Sequence, residues 1–370
     1  MRIATIVTAL LAAAVALAPA PAALAQTAPQ TTPSRFPSLL IASQRGAALP
    51  GLRSEERATR EGDGLGEGRG GGRGPGGERG NGERGNIVGR GHYRTISVPH
   101  AVQTTPEDVT DSGMIVGCYQ SAGGPTRGFT DHGGRFITIT DPAAGHRSQL
   151  RGCVLGANSR GVLTGYYLSA SGVQHAFVDR GGRFIPVDAP GAGGRAGEGT
   201  IAVDINDSGV VAGYYYTARH GERGFVLRHG RYTTVHYPPG SPGTWASGVS
   251  DNGTITGGST SRRGVLSGFM DAGGVFSPIA VPGAVAAKGK GTAPACISKH
   301  TGLVVGTYWR RGRSSRPTGF SLLRGVYRTL SDPAATTGTA PQCGNDSGQI
   351  VGVYYTGGGV QHGFEFTPRR

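Results

Sequence analysis

One unit repeated through most of the chain limits the possible folds more than any other feature. Each copy contains a glycine at a tight turn and, after it, a phenylalanine. The turn glycines lie 44 to 49 residues apart, at Gly113, Gly161, Gly209, Gly253, Gly302 and Gly348. The phenylalanines are Phe129, Phe177, Phe225, Phe269, Phe320 and Phe364. A period of this length indicates a fold assembled from copies of one supersecondary unit.

The last copy is incomplete, and its missing part is found at the other end of the repeat region. Seven residues after each of the first five phenylalanines there is a second aromatic residue: Phe136, Phe184, Tyr232, Phe276 and Tyr327. The sixth copy stops before that position. The segment 91–99 matches 182–190 and 230–238 as a last strand without a unit of its own. This offset predicts a closed ring, whereas an open solenoid would not need it.

Each unit reads as four short antiparallel strands. In the third unit, apolar or alternating segments are separated by Asn206-Asp207-Ser208-Gly209, a polar loop and His229-Gly230, all of which are turn sequences. Four strands in about 46 residues, repeated radially, are typical of a propeller blade. We therefore expect an all-β, six-bladed β-propeller whose ring is closed by an N-terminal strand that completes the last blade. A β-solenoid or a large sandwich is the alternative architecture.

The units resemble the extracellular HAF repeat, which is named for a His-Ala-Phe element. That element occurs as Gln174-His175-Ala176-Phe177 and, relaxed, as Gln361-His362-Gly363-Phe364. The flanking Asn-Asp-Ser-Gly turns at 206–209 and 345–348 also match. The resemblance covers about residues 89–370 and implies export and a repeat fold, but no activity. The histidine is replaced in the other units, by Arg127, Arg223, Ser267 and Thr318.

The N-terminal region has the pattern of an export signal. A positive start is followed by an apolar run from Ile3 to about Leu17 and by small residues up to Ala25. The run is shorter than the ~20 residues that cross a bilayer, so we expect cleavage rather than a transmembrane anchor. The predicted organisation is a signal peptide at 1–25, a disordered Gly/Arg-rich spacer at 26–88 and a propeller at 89–370. The localisation would be extracellular or periplasmic.

The spacer is poor in large apolar residues and therefore cannot form a core. Its arginines could indicate a nucleic-acid-binding segment, but glutamates interrupt them and aromatic residues for base stacking are lacking. We expect no nucleic-acid partner.

Neither catalytic motifs nor metal-ligand spacing stand out in the sequence. No nucleophile elbow accompanies the histidines, and no Cys-x-x-Cys is present. The Asx-Ser-Gly turns each offer one or two carboxylates, fewer than the six to eight oxygens of a calcium site. We expect no cofactor, and we favour a binding role over catalysis, although catalytic residues could be contributed by different blades.

The four cysteines predict two disulfides in an oxidising compartment. Cys153, Cys296 and Cys343 precede the turn on the first strand of their units, and Cys118 lies on the second strand of the unit before Cys153. We expect Cys118–Cys153 and Cys296–Cys343 to pair, each contributing on the order of 3–4 kcal/mol. Buried free thiols are the alternative.

The two faces of the predicted ring differ in charge, and this difference is the feature of the sequence that indicates a function. The chain has a formal net charge of +14. The connections from second to third and from fourth to first strands should emerge on one face. They carry Arg127, Arg147, Arg195, Arg219, Arg223, Arg262, Arg263, Lys288, Lys290, Arg310, Arg311, Arg313 and Arg316, against which we count only Glu198 and Glu222. The opposite face carries the Asp-containing turns. A basic face attracts anions, and arginine suits carboxylate or phosphate recognition. Solvated surface arginines are the alternative explanation.

We therefore predict an exported, monomeric binding module. Its ligand would be an anionic polysaccharide, a lipopolysaccharide or a protein partner. The candidate ligand-binding residues are Arg127, Arg147, Arg195, Arg223, Arg262, Arg263, Arg310, Arg311, Arg313 and Arg316. Two alternatives remain open: a polysaccharide lyase or hydrolase with its site at the central channel mouth, and a structural envelope or matrix scaffold.

Overall fold

The computed structural model describes residues 91–139, 151–218, 221–310 and 317–369. The predicted signal peptide and the whole of the predicted spacer lie outside these residues. Within them the chain is all-β, with 24 strands and a single 3-10 turn at Gly357–Gly359.

The strand bounds follow the repeat. The first twelve are β1 Gly91–Ile96, β2 Ala101–Val109, β3 Ile115–Ser121, β4 Thr126–Asp131, β5 Phe136–Ile139, β6 Gly152–Ala157, β7 Leu163–Leu168, β8 Gln174–Asp179, β9 Phe184–Pro186, β10 Gly199–Ile205, β11 Val211–Tyr216 and β12 Glu222–Arg228. The others are β13 Arg231–Val235, β14 Gly243–Val249, β15 Ile255–Thr260, β16 Leu266–Ala272, β17 Val275–Ile279, β18 Thr292–Ile297, β19 Val304–Trp309, β20 Pro317–Leu323, β21 Val326–Leu330, β22 Gly338–Gly344, β23 Ile350–Tyr355 and β24 Gln361–Pro368.

The strands form four-stranded antiparallel groups, which we call units. Units 1 to 5 are β2–β5, β6–β9, β10–β13, β14–β17 and β18–β21, and unit 6 is β22–β24 together with β1. Units 2, 3 and 4 are joined into one larger sheet by single pairings between neighbouring units, such as Gly199 with Gln174. The first strand of each unit contacts the first strand of the next, and β22 also contacts β2. This radial packing of four-stranded sheets is the arrangement of a β-propeller.

The repeated residues have the same role in every unit. The six phenylalanines are among the largest fully buried side chains of the described residues. In units 1 to 5 the second aromatic ring packs on the phenylalanine, with centroids 5.0 to 6.0 Å apart. Gly209 and its equivalents take positive φ angles, as in Gly209 at 77°, which explains why glycine recurs there.

The N-terminal strand pairs with the last unit as the sequence predicts. β1 runs antiparallel to β24, with Gly91 opposite Pro368 and Ile96 opposite Gly363. Tyr93 on β1 packs on Phe364 at 5.7 Å and so supplies the second aromatic ring that the sixth repeat lacks.

Candidate functional site

The two ends of the units are chemically different. The loop face, as we call it, consists of the connections from second to third and from fourth to first strands. The turn face consists of the connections from first to second and from third to fourth strands. Because each unit is an antiparallel meander, connections of one type all emerge at the same end.

A recurring threonine anchors the loop face to the sheets. In five units a buried threonine at the start of the first strand accepts a hydrogen bond from a backbone N–H in the preceding fourth-to-first connection. The threonines are Thr104, Thr200, Thr244, Thr292 and Thr339, and the N···O distances range from 2.9 to 3.3 Å. These bonds fix the exit of each fourth strand, and with it the base of each loop.

Six of the ten predicted ligand-binding arginines lie in the described residues. Arg195, Arg262, Arg263 and Arg310 lie in loop-face connections, whereas Arg127 and Arg223, which the sequence placed in connections, are the second residues of β4 and β12, at the loop-face ends of these strands. Arg195, Arg262, Arg263 and Arg310 are exposed, whereas Arg127 and Arg223 are half-buried; Arg147, Arg311, Arg313 and Arg316 lie outside the described residues. None of the six makes a salt bridge with a described carboxylate. The buried Nε of Arg127 has no hydrogen-bond partner among the described residues.

The sequence-based count of acidic groups on this face was too low by three residues: Asp141, which lies outside the described residues, falls between β5 and β6 in the sequence. Asp188 and Asp332 also lie in fourth-to-first connections. The Asp188 carboxylate is engaged by His175 Nδ1 at 2.7 Å and by the Ala176 N–H at 2.8 Å. Asp332 is buried and accepts the Ala334 N–H, and burial raises its pKa. Neither carboxylate forms an ion pair with one of the six arginines.

Glu222 does not neutralise the loop face either. It is the first residue of β12, and the residue is half-buried, but its carboxyl oxygen Oε1 is inaccessible to solvent. Burial raises the pKa of Glu222 to about 8, so the carboxyl is mostly protonated at neutral pH. Glu222 therefore adds little negative charge to the loop face at neutral pH.

Both predicted disulfides are confirmed. Cys118 pairs with Cys153 and Cys296 with Cys343, with Cα atoms 5.0 and 5.1 Å apart. Each bond joins neighbouring units. The Oε1 atom of fully buried Glu107 lies 3.8 Å from both sulfurs of the first bond, and burial raises the pKa of this glutamate well above its ordinary value.

The turn face is linked from unit to unit by aspartates. The backbone N–H of Ser159 donates to Asp207, that of Asp207 to Asp251, and that of Asp346 to Asp111, each at 2.8 Å. The His300 N–H donates to Asp346 at 3.0 Å. The carboxylates at this end therefore hold neighbouring units together.

Unit 5 departs from the repeat and places two cations among these carboxylates. Its turn, Ser298-Lys299-His300-Thr301-Gly302, is one residue longer than the Asn-Asp-Ser-Gly turn of unit 3 and carries the Lys299-His300 pair. The His300 ring contacts Asp346 at 2.7 Å through Nδ1 and Asp251 at 3.2 Å through Nε2, although its side chain is 62% exposed. The hydrogen bond to Asp346 is the main cause of a raised His300 pKa.

Lys299 points inward and meets two buried carboxylates. Its Nζ lies 2.5 Å from Asp204 Oδ1. Burial alone would lower the pKa of Lys299, but Asp204 and Asp108 outweigh this effect and raise it. Asp108 and Asp204 also accept backbone N–H groups from the next unit, Ala157 and Val249.

These side chains come from different turns, so the sequence taken one turn at a time does not predict that they meet. Ligand-type atoms of Asp207, Asp251 and His300 lie within 4.8 Å of one another, as do those of Asp111, His300 and Asp346. The insertion of a Lys-His pair into an otherwise regular turn was the available signal. The negative charge here is met by the protein's own cations.

Within the described residues, no helix is long and apolar enough to span a membrane.

The sequence matches no family model and no curated relative. The chain is similar in structure to a six-bladed β-propeller fucose-binding lectin of Aleuria aurantia, with 12% identity, a TM-score of 0.45, and coverage of 74% of this chain and 93% of that one. It is also similar to a protein of unknown function from Dyadobacter fermentans, with 9% identity, a TM-score of 0.47 and coverage of 75% and 98%. A third structure is the β-propeller domain of the trilobed protease of Pyrococcus furiosus, with 9% identity, a TM-score of 0.42 and coverage of 73% and 95%. Identities and scores this low assign no function, and the HAF resemblance stays a prediction.

Proposed function

We propose that this protein is an exported, closed six-bladed β-propeller that binds an anionic ligand on its loop face. The closure is supported by the pairing of β1 with β24 and by contacts of β2 with β22, β23 and β24. Two hydrogen bonds between units 6 and 1 add to this support: Asn345 Nδ2 to Thr110 O at 2.9 Å, and Asp346 N to Asp111 Oδ1.

One observation carries the binding function: arginines are concentrated at the loop-face ends of the units, and none of the six described there forms an ion pair with a described carboxylate. Arginines with a structural role generally engage a carboxylate or a carbonyl oxygen, because guanidinium groups carry five donors. Of the six, only Arg223 is seen to donate locally, from Nη1 to the Glu222 carbonyl oxygen at 3.0 Å. The exposed guanidinium groups of Arg195, Arg262, Arg263 and Arg310 are available for carboxylates, sulfates or phosphates of a ligand.

Export is supported by the two disulfides, which form and persist in oxidising compartments. An extracellular or periplasmic protein would meet acidic glycans and lipopolysaccharide there. Among anionic ligands we favour an acidic polysaccharide, because its regularly spaced charges can engage arginines of several units at once.

The test is retention on immobilised acidic and neutral polysaccharides at low and moderate salt. We expect retention on the acidic polymer only, weakening as salt screens the charges. The triple variant Arg262→Ser, Arg263→Ser, Arg310→Ser should lose most of this retention while its melting temperature stays within a few degrees of the parent.

The matched control removes charge from the turn face. The triple variant Arg180→Ser, Arg183→Ser, Arg231→Ser removes the same net charge and should be retained like the parent protein. Equal losses of retention in the two variants would show that retention depends on the net charge of the protein and not on the loop face. No retention of the parent at low salt would contradict the proposal.

A further inference from the structure

Three buried polar atoms lie without a hydrogen-bond partner among the described residues, at the junction of units 3 and 4. They are Tyr216 Oη, Trp245 Nε1 and Glu222 Oε1. Tyr216 and Trp245 are only 5% and 7% exposed. Buried polar groups in native proteins are normally satisfied, so a group of three in one place indicates that something else supplies the partner.

The strand pairing brings these residues together. Tyr216 on β11 lies directly opposite Glu222 on β12, and residues opposite each other on antiparallel strands point to the same side of a sheet. Glu222 in turn pairs with Gly243, two residues before Trp245 on β14. Tyr216, Tyr214 and Trp245 belong to one packed cluster.

The position of the indole is fixed by a glycine. A Cβ atom on Gly258 of β15 would lie 2.2 Å from Trp245 Cζ2, so the ring lies flat on a backbone without a side chain. Tyr214 and Tyr216 meet edge to face, with centroids 5.8 Å apart. The donors are therefore held by packed aromatic rings and are preorganised.

The chemistry of the three groups is that of hydrogen-bond donors. An indole N–H can only donate, and a tyrosine hydroxyl donates readily. The Glu222 carboxyl carries its proton at neutral pH because burial raises its pKa to about 8. Tyr214 and Tyr216, the titratable groups of β11 that interact with it, stay neutral because burial raises their pKa values well above 10.0.

We propose that the unit 3–4 site, formed by Tyr216, Glu222 and Trp245, binds the carboxylate of a uronic acid residue. This inference rests on the proposed function and names the ligand group and its position. A carboxylate is an acceptor with two oxygens, and it complements a set of donors. A neutral sugar hydroxyl needs an acceptor as well as a donor, which this set supplies less well.

The site lies beneath the loop face. Glu222 and Gly243 begin their strands at that face, and Gly243 lies opposite Thr260 at the end of β15. The connection that follows Thr260 carries Arg262 and Arg263, and Arg223 follows Glu222. These arginines would draw the anionic sugar to the entrance.

The experiment uses tryptophan fluorescence, because the chain has only two tryptophans. In a Trp309→Phe background Trp245 is the sole reporter. We expect glucuronate, but not glucose, to change its emission. Tyr216→Phe removes one donor and should weaken glucuronate binding about tenfold or more.

The Glu222→Gln variant tests the effect of ionisation of Glu222, because glutamine has nearly the same shape but cannot ionise. It keeps a neutral donor and should bind glucuronate equally at pH 7 and pH 9. The parent should bind about tenfold more weakly at pH 9, since only about a tenth of Glu222 is protonated one unit above its pKa. A melting curve for each variant verifies folding.

Unchanged Trp245 emission with glucuronate, or unchanged affinity in Tyr216→Phe, would overturn the inference and leave trapped water as the partner of these atoms. Retention on acidic polysaccharide with no Trp245 response would overturn this inference alone. No retention of the parent protein on acidic polysaccharide would overturn the proposed function. The glucuronate titration would then test the unit 3–4 site by itself.

Discussion

The loop face and the turn face of this molecule use charge in opposite ways. At the turn face, aspartates accept backbone N–H groups from neighbouring units, and His300 and Lys299 balance their charge. At the loop face, the described arginines form no ion pairs with described carboxylates, and Glu222 is held uncharged by burial. The turn-face aspartates have partners inside the protein and stabilise the fold, whereas the exposed loop-face arginines have no described charged partner and remain available to a ligand. Loss of the charged partners at the turn face should therefore lower stability, and changes at the loop face should alter binding without lowering stability.

The largest expected effect is at Lys299. Lys299→Met removes the cation that faces Asp204 and Asp108 and leaves two buried carboxylates uncompensated, which costs roughly 3–5 kcal/mol of unfolding free energy. Denaturant unfolding at pH 7 measures this. Binding to acidic polysaccharide should not weaken in the molecules that remain folded.

A Lys299 variant as stable as the parent would contradict this expectation, because the turn-face charges would then not hold the units together. Lys288→Met, an exposed loop-face lysine, is the matched control and should change stability by less than about 0.5 kcal/mol.

The second effect is at Glu222, where a substitution should raise the free energy of unfolding instead of lowering it. The pKa of Glu222 in the folded protein is about 8, above the ordinary 4.5, so the folded state retains a proton that the unfolded chain releases. Its contribution to stability is complete below pH 4.5 and is lost as pH rises from there to 8. Glu222→Gln removes this loss and should stabilise the protein at pH 9 by roughly 2–4 kcal/mol.

Urea unfolding of parent and Glu222→Gln at pH 4 and pH 9 checks this expectation. Equal stabilities at pH 9 would show that Glu222 ionises freely, and the loop face would then carry an additional negative charge. A gain in stability would support a functional role of the loop face, since a residue that lowers stability at neutral pH is expected at a functional face.

The smallest effect is at His300. Its raised pKa stabilises the folded state below pH 6.5, and this contribution is lost as pH rises through the raised value. Because the side chain is 62% exposed, solvent screening keeps the effect below about 1 kcal/mol. His300→Gln should therefore lower the melting temperature slightly at pH 5.5 and not at pH 9. A loss that is equal at both pH values would show that the imidazole contributes by packing rather than by charge.

The features that recur in every repeat could be predicted from the sequence. Contacts between residues of different units could mostly not be predicted. The turn glycines, the buried phenylalanines, the pairing of β1 with the last unit and both disulfides follow from the position of residues within a repeat. Lys299 and Asp204 are separated by 95 residues and come from different units, so only the radial packing brings them together. The donor group at Tyr216, Glu222 and Trp245 depends on strand register, which the sequence does not fix to the residue. Asp188 and Asp332 were missed because each follows a fourth strand and reads as a simple strand end.

The pairing of β1 with β24 also determines how the domain would be presented to its surroundings. Gly91 and Pro368 lie opposite each other, at the turn-face end of unit 6. Any segment attached ahead of Gly91 must therefore leave from the turn face. If that segment fastened the domain to a cell surface or a larger assembly, the arginines would point away from the attachment and toward the medium.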